Sequence, residues 1–187
     1  MAEGVLVLGV GTGCKELSQF LHCTKEYVVT AKFGHATNTY DAEGHITHSG
    51  PIDHLTEEAV YKALSQFRGR ITQLPPIYSA LRIEGKRLYE YAREGKALPK
   101  PIQPRPVTIH QLDLVKYNAD HCILRVECSS GTYMRSLVHD LGQALGTYAH
   151  MTALLRTRQG SMTLQDALTI EPYVDYEAVF KRLSSYQ

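Results

Sequence analysis

Gly131-Thr132-Tyr133-Met134-Arg135 places an aromatic ring and a guanidinium two positions apart where a strand pattern gives way to a helical one. An arginine in a helix's first turn is repelled by the positive end of the helix dipole. Its planar fork of donors suits a buried carboxylate or a phosphate, and that is the chemistry this position points to. Other candidates fall short. Gly9-Val10-Gly11-Thr12-Gly13 lacks the Gly-Lys-Ser/Thr of a phosphate loop, and Cys14 stands where a dinucleotide fingerprint needs its third glycine. A tight turn explains these glycines. His45 and His48 are three apart on an expected strand and point to opposite faces. His121-Cys122 alternate likewise, and His139-Asp140 has no second cluster, so nothing has metal-ligand spacing. Ser129-Ser130-Gly131 lacks the glycine bracket of a nucleophile elbow.

Charge marks a second region. The chain carries a formal net charge of +1, but Arg68 to Arg105 holds nine lysines and arginines against Glu84, Glu90 and Glu94. That segment is +6 and the remainder −5. Tyr78, Tyr89 and Tyr91 are interleaved with the cations. Cations beside stackable rings are the ingredients of RNA contact. On charge alone, a solvated face with core tyrosines is the commoner explanation.

The elements that must position these groups follow from period. Residues 4–9 read as a buried strand. Thr12 can cap a helix over 13–22 with Leu17, Phe20 and Leu21 on one face. Tyr27 to Phe33 alternates as a strand. Asp41 to Gly44 is a turn before a short strand near His45–His48. Thr56 starts a helix with Ala59, Val60, Ala63, Leu64 and Phe67 on one face, stopped by Gly69. Pro75-Pro76 precedes a strand at Tyr78–Ile83, then a short helix at Arg87–Arg93 ends at Gly95. Pro99 to Pro106 is a stiff loop. Val107–Tyr117 and Cys122–Cys128 pair as strands. Thr132–Leu145 is a helix, Thr152–Thr157 a strand, and Tyr176–Leu183 a terminal helix. The clustering predicts an α+β fold with a mixed, largely antiparallel sheet flanked by helices.

At 187 residues, 43% hydrophobic and 21% charged, the chain is sized for one domain. Disordered and collagen-like classes are excluded, and the Val5–Val10 apolar run is far too short to span a bilayer or act as a secretion signal. Four cysteines without a C-x-x-C pair read as reduced thiols of an intracellular protein (nuclear, cytoplasmic or mitochondrial) that is not secreted.

Nearly the whole chain resembles the TruB family of tRNA pseudouridine synthases. The matching segments are Ala2 to Leu6, Lys25-Glu26-Tyr27, Thr37 to Gly44, Pro75 to Arg82, Gly85 to Gly95, Cys128 to Arg135, Asp140-Leu141-Gly142 and Ala149-His150, in family order and spacing. Arg156 to Gly160 looks more like eukaryotic members. The resemblance implies isomerisation of the T-loop uridine, position 55 of tRNA, to pseudouridine, with the base flipped into a pocket. It implies no metal or organic cofactor. Tyr27 matches the tyrosine against the flipped uracil, and Arg135 the arginine that ion-pairs with the catalytic aspartate. Tyr133 and Leu154 match pocket-lining residues. The basic stretch, with Tyr78, Arg82, Lys86 and Arg87, falls on the T-loop-binding region.

By that resemblance the essential aspartate falls two residues before Met1. Asp41 belongs to a later turn and Asp140 to the helix after Arg135. Asn38 stands where many members have aspartate. The expectation is therefore a catalytic domain over 1–187 lacking its N-terminal part, without a C-terminal RNA-binding domain, and inactive as it stands. The expected partner is the tRNA T-arm, with T-loop-like hairpins of messenger RNA a second candidate, no membrane, and a monomeric state. The rival reading is a non-catalytic tRNA-binding chaperone of the same fold. A generic hydrolase rests only on the presence of Ser, His and Asp.

Overall fold

The computed structural model describes residues 2–168. The helix expected near Tyr176–Leu183 lies outside the described residues. A seven-stranded mixed sheet organises the rest. β1 (Ala2–Gly4) runs parallel to β10 (Ala149–Gln159), the only parallel pairing in the sheet among the described residues. From β10 the sheet continues antiparallel through β2 (Lys25–Phe33), β9 (His121–Cys128), β8 (Arg105–Asn118) and β5 (Gly69–Gln73). β11 (Met162–Thr163) folds back on β10. Two small ribbons stand off it: β3 (His35–Thr37) with β4 (Ile46–Ser49), and β6 (Arg82–Ile83) with β7 (Lys86–Arg87).

Strand alternation decides which face is covered. Val29, Ala31 and Phe33 of β2 are buried with Cys122, Leu124, Val126 and Cys128 of β9 and Ile109 and Leu112 of β8. Over them lie α2 (Glu57–Leu64), through Val60, Ala63 and Leu64, and α4 (Met134–Ala144), through Met134, Leu137, Val138 and Leu141. Residues at i, i+3, i+4 and i+7 share one helix face, so these spacings bury a single stripe. α2 starts as expected: the Thr56 hydroxyl accepts the Ala59 N–H at 3.1 Å. Gly142 of α4 passes so near β10 that a Cβ there would sit 2.4 Å from the Ala149 nitrogen.

Three expectations are corrected. Residues 4–9 are not a buried strand. β1 ends at Gly4, whose φ of +98° only glycine adopts readily, and the Val5 N–H donates to the Arg156 carbonyl. Beyond that point β11 occupies the same edge of β10, so no partner remains for the following backbone. Val5 is buried, but Leu6, Leu8 and Val10 are exposed. Thr12 caps nothing. It lies inside a 3-10 turn, Gly11–Glu16, that leads into the short α1 (Leu17–Leu21). The Tyr78–Ile83 strand shrinks to β6. The carbonyls of Ser79 and Leu81 are taken by N–H groups of Tyr89 and Leu88, at the start of α3 (Leu88–Arg93), so the backbone is committed to turns rather than a ladder.

β10 carries two bulges against β2, at Thr152 and Thr157. The second matters most. Arg156 faces Tyr27, but Arg158 faces Glu26, so the inserted Thr157 sends two arginines to opposite faces. Arg158 pairs with Glu127 at 3.1 Å, and the Thr157 hydroxyl donates to Glu26 at 2.7 Å.

Candidate active site

Arg135 enters the first turn of α4 because the backbone before it is clamped. Gln73, 1% exposed at the end of β5, donates through Nε2 to the Tyr133 carbonyl at 3.3 Å and accepts the Tyr133 N–H at 3.0 Å. The Ser136 hydroxyl donates to the Leu74 carbonyl at 2.7 Å. Gln73→Ala is expected to cost about 2–3 kcal/mol, since it strips both partners from a partly buried peptide. Urea unfolding measures it; a loss under about 1 kcal/mol means Tyr133 is held by something else.

The guanidinium so placed has three acceptors. Nη1 donates to Oδ2 of Asp41 at 3.0 Å and to the Thr39 carbonyl at 3.2 Å, and Nη2 to the Tyr78 carbonyl at 2.6 Å. The Asp41 side chain is 11% exposed and that of Arg135 23%. Oδ1 of Asp41 accepts the Thr39 hydroxyl at 2.6 Å and the Glu43 N–H at 3.1 Å. Both carboxylate oxygens are engaged, so Asp41 orients rather than attacks. Arg135 thus has a carboxylate partner within the chain, Asp41, a turn residue that sequence reading set aside. The two are 94 positions apart, and no local signal pairs them. Tyr78 takes part through its backbone.

Tyr27 lies on the core-facing side of β2, opposite Arg156 of β10 and Val126 of β9. Burial raises its pKa above the usual phenol value. Cys128 adds to this, while Arg156 opposes it through charge and a side-chain hydrogen bond. The phenol therefore stays protonated through neutral pH. Leu154 stands opposite Val29, two residues from Arg156. Arg156 itself was missed at the sequence level. It donates through Nε to the Val5 carbonyl at 2.6 Å while facing Tyr27.

Among the described residues no hydrogen bond joins Tyr27 to Arg135 directly. Two routes join them. Met151 of β10 accepts the Ala42 N–H and donates to the Tyr40 carbonyl, stitching the Asp41 turn to the strand that carries Leu154 and Arg156. Those residues lie about 10–17 Å further along, at about 3.3 Å per residue. On the other side Cys128 sits beside Tyr27, its thiol pushed up to about 11 by burial and opposed by a hydrogen bond with Thr132, next to Tyr133.

The basic residues gather on the β6–β7 hairpin and α3. Arg87 and Arg93 lie over the Tyr89 ring at 5.7 and 5.1 Å, and Lys86 over Tyr91 at 4.9 Å. Arg82 donates to the Gly85 carbonyl at 3.2 Å, closing the hairpin. Hydrogen bonds from Lys86 and Lys96 hold the Glu94 carboxyl down at about 2. Among the described residues Arg87 forms no ion pair, its Nη1 donating to the Tyr89 hydroxyl at 3.0 Å, whereas Lys86 pairs with Glu94. No helix of the described residues is long and apolar enough to cross a membrane.

Comparison with known proteins adds the following. Residues 1–134 match the model of the TruB family pseudouridylate synthase (N terminal domain), and residues 135–183 that of the tRNA pseudouridylate synthase B C-terminal domain. The chain is 38% identical over 176 residues to tRNA pseudouridine synthase B of Phocaeicola vulgatus, covering 94% of this chain and 74% of that one. It is 43% identical to the protein of that name in Caldanaerobacter subterraneus subsp. tengcongensis, covering 91% and 59%. It is also 43% identical to that of Francisella philomiragia, covering 94% and 58%. The chain therefore spans less than two thirds of two of these relatives. In fold it is similar to a chain of the Cbf5-Nop10-Gar1 complex, with a TM-score of 0.70 at 24% identity over 98% of this chain and 45% of that chain. It is likewise similar to a chain of the archaeal box H/ACA sRNP Nop10-Cbf5 complex, at 0.64 and 22% over 98% and 43%.

Proposed function

Because this chain belongs to the TruB family of pseudouridylate synthases, we propose that it serves the isomerisation of a T-loop uridine of tRNA to pseudouridine. The observation that carries this reading is Arg135, a guanidinium bound at once by Asp41, Thr39 and Tyr78 and tied through β10 to Tyr27 and Leu154. A cation so fixed holds a reacting carboxylate ionised and aimed. Tyr27 lies where the base would lie against it, its protonated phenol able to relay a proton at carbon 5. Leu154 and Tyr133 supply apolar walls. The attacking carboxylate is assigned, by family resemblance, to an aspartate that is not among these 187 residues; Asp41 does not replace it.

The T-arm is read by the hairpin and α3. Arg87→Ala is expected to weaken T-arm binding about tenfold at 0.1 M salt and to flatten the log K against log salt slope by about 1. Filter binding across salt checks both. Equal slopes would place Arg87 off the RNA.

The deciding experiment uses a T-arm stem-loop tritiated at carbon 5 of the target uridine. The 187-residue chain is expected to bind it and release no tritium, whereas a chain carrying the assigned aspartate releases it. Release by the 187 residues alone would show that a carboxylate within them attacks. Binding without release by both forms favours a chaperone role.

A further inference from the structure

His139 stands one helical turn beyond Arg135 on α4, and residues four apart share a helix face. Its ring lies flat on that of Tyr40, centroids 3.9 Å apart and planes 12° from parallel. Tyr40 is the residue between Thr39 and Asp41, whose carbonyl and carboxylate hold Arg135. Its φ is +63°, a left-handed conformation that L residues with large side chains rarely adopt. Such strain persists only where the surroundings over-determine it. Here the Tyr40 N–H donates to the Thr37 carbonyl, its carbonyl accepts from Met151, and its ring is pressed on the imidazole. The imidazole is not there for hydrogen bonding alone. Gln143 meets Nε2 at 3.1 Å, but Nδ1 is buried without a partner. What the position uses is a flat face.

We propose that the Tyr40–His139 stack is a positioning device that sets the Thr39–Asp41 turn around Arg135 and so aims the guanidinium. The inference rests on the proposed synthase reading for its catalytic consequence and on geometry alone for its structural one. α4 grips the turn at two points, by charge through Arg135 and by ring through His139. Neither ring touches the reacting atoms; both act through Asp41.

The test separates the two layers. In the 187-residue chain labelled with nitrogen-15, a guanidinium held by three acceptors rotates slowly, and its Nη protons are resolved. Those Arg135 resonances are expected in the parent and in His139→Phe, which keeps a flat ring, and are expected to be lost in His139→Ala and Tyr40→Gly. Glycine relieves the left-handed strain, so a well-folded Tyr40→Gly that still loses the signal excludes simple unfolding. In a chain carrying the assigned aspartate, kcat is expected to fall about 10- to 100-fold for His139→Ala and Tyr40→Gly, with KM within about twofold and rescue by His139→Phe. Unchanged Arg135 resonances in both variants overturn the proposal whatever the turnover. Lost resonances with unchanged kcat overturn its catalytic half. Resonances present in the parent and lost in both variants, when a chain carrying the aspartate never makes pseudouridine, leave the clamp standing and defeat the synthase reading instead.

Discussion

Arg135→Lys, in a chain carrying the family's aspartate, is expected to lower pseudouridine formation about 100- to 1,000-fold while changing T-arm affinity less than threefold. The charge survives the change, so any loss comes from geometry. The guanidinium serves Asp41 and Thr39 from one nitrogen and Tyr78 from the other. A lysine ammonium is a compact point donor on a flexible stem and cannot hold both sides of that fork. The Tyr78 carbonyl would then lose its partner in a half-buried place, and Asp41 would be free to turn. A hundredfold loss corresponds to about 2.7 kcal/mol of transition-state stabilisation, the size of one misdirected electrostatic contact in a preorganised site. Single-turnover kinetics with saturating enzyme separate this from binding. Turnover within threefold of the parent would remove Arg135 from the reaction.

Gly142→Ala should cost about 3 kcal/mol or more of folding stability, although alanine in a helix ordinarily gains about 1 kcal/mol over glycine. The sign reverses because the new Cβ would meet backbone: 2.4 Å from the Ala149 nitrogen, 2.7 Å from the Tyr148 carbonyl carbon and 2.8 Å from the Ala149 Cβ. No side-chain rotation relieves a clash with main chain, so α4 and the start of β10 must separate. That separation opens the packing of Leu141 and Met151 and disturbs the Thr147 N–H bond to the Gly142 carbonyl. It would also carry Met151 away from the Asp41 turn. Urea denaturation decides the matter, and an equal or higher midpoint would mean that the helix rides loosely on the sheet.

These two positions also show how far the sequence can be read. The periods of β2, β9, α2 and α4 are strong because each buries one face only, so their existence, direction and apolar residues are legible along the chain. Thr56 as a cap and Gly95 as a helix stop are legible for the same local reason. The apolar run after Gly4 misleads, because a strand is defined by a partner, and the partner edge is taken by β11, more than 150 residues away. Tyr78–Ile83 misleads likewise: its carbonyls are claimed by Arg135 and by the start of α3. For the site, family resemblance names Tyr27, Tyr133, Arg135 and Leu154, and the structure lays them along β2, β10 and the head of α4. It cannot name Asp41 as the arginine's companion or His139 as the floor under Tyr40, since both are relations between distant segments. Gly142 reads in sequence as a weak spot in a helix; only the approach of β10 shows it to be a requirement.

Arg156 and Arg158 are two apart on a strand and would normally look the same way, yet one faces Tyr27 and the other Glu127, because Thr157 is counted in one strand and has no counterpart in the other. The bulge lets two arginines with a residue between them take the opposite faces that adjacent residues would take. Many residues could stand at 157 and leave both arginines in place. Loss of that single codon would leave the arginines adjacent in an unbroken ladder and still opposite Tyr27 and Glu26, so the gene can shed that triplet without reassigning either cation.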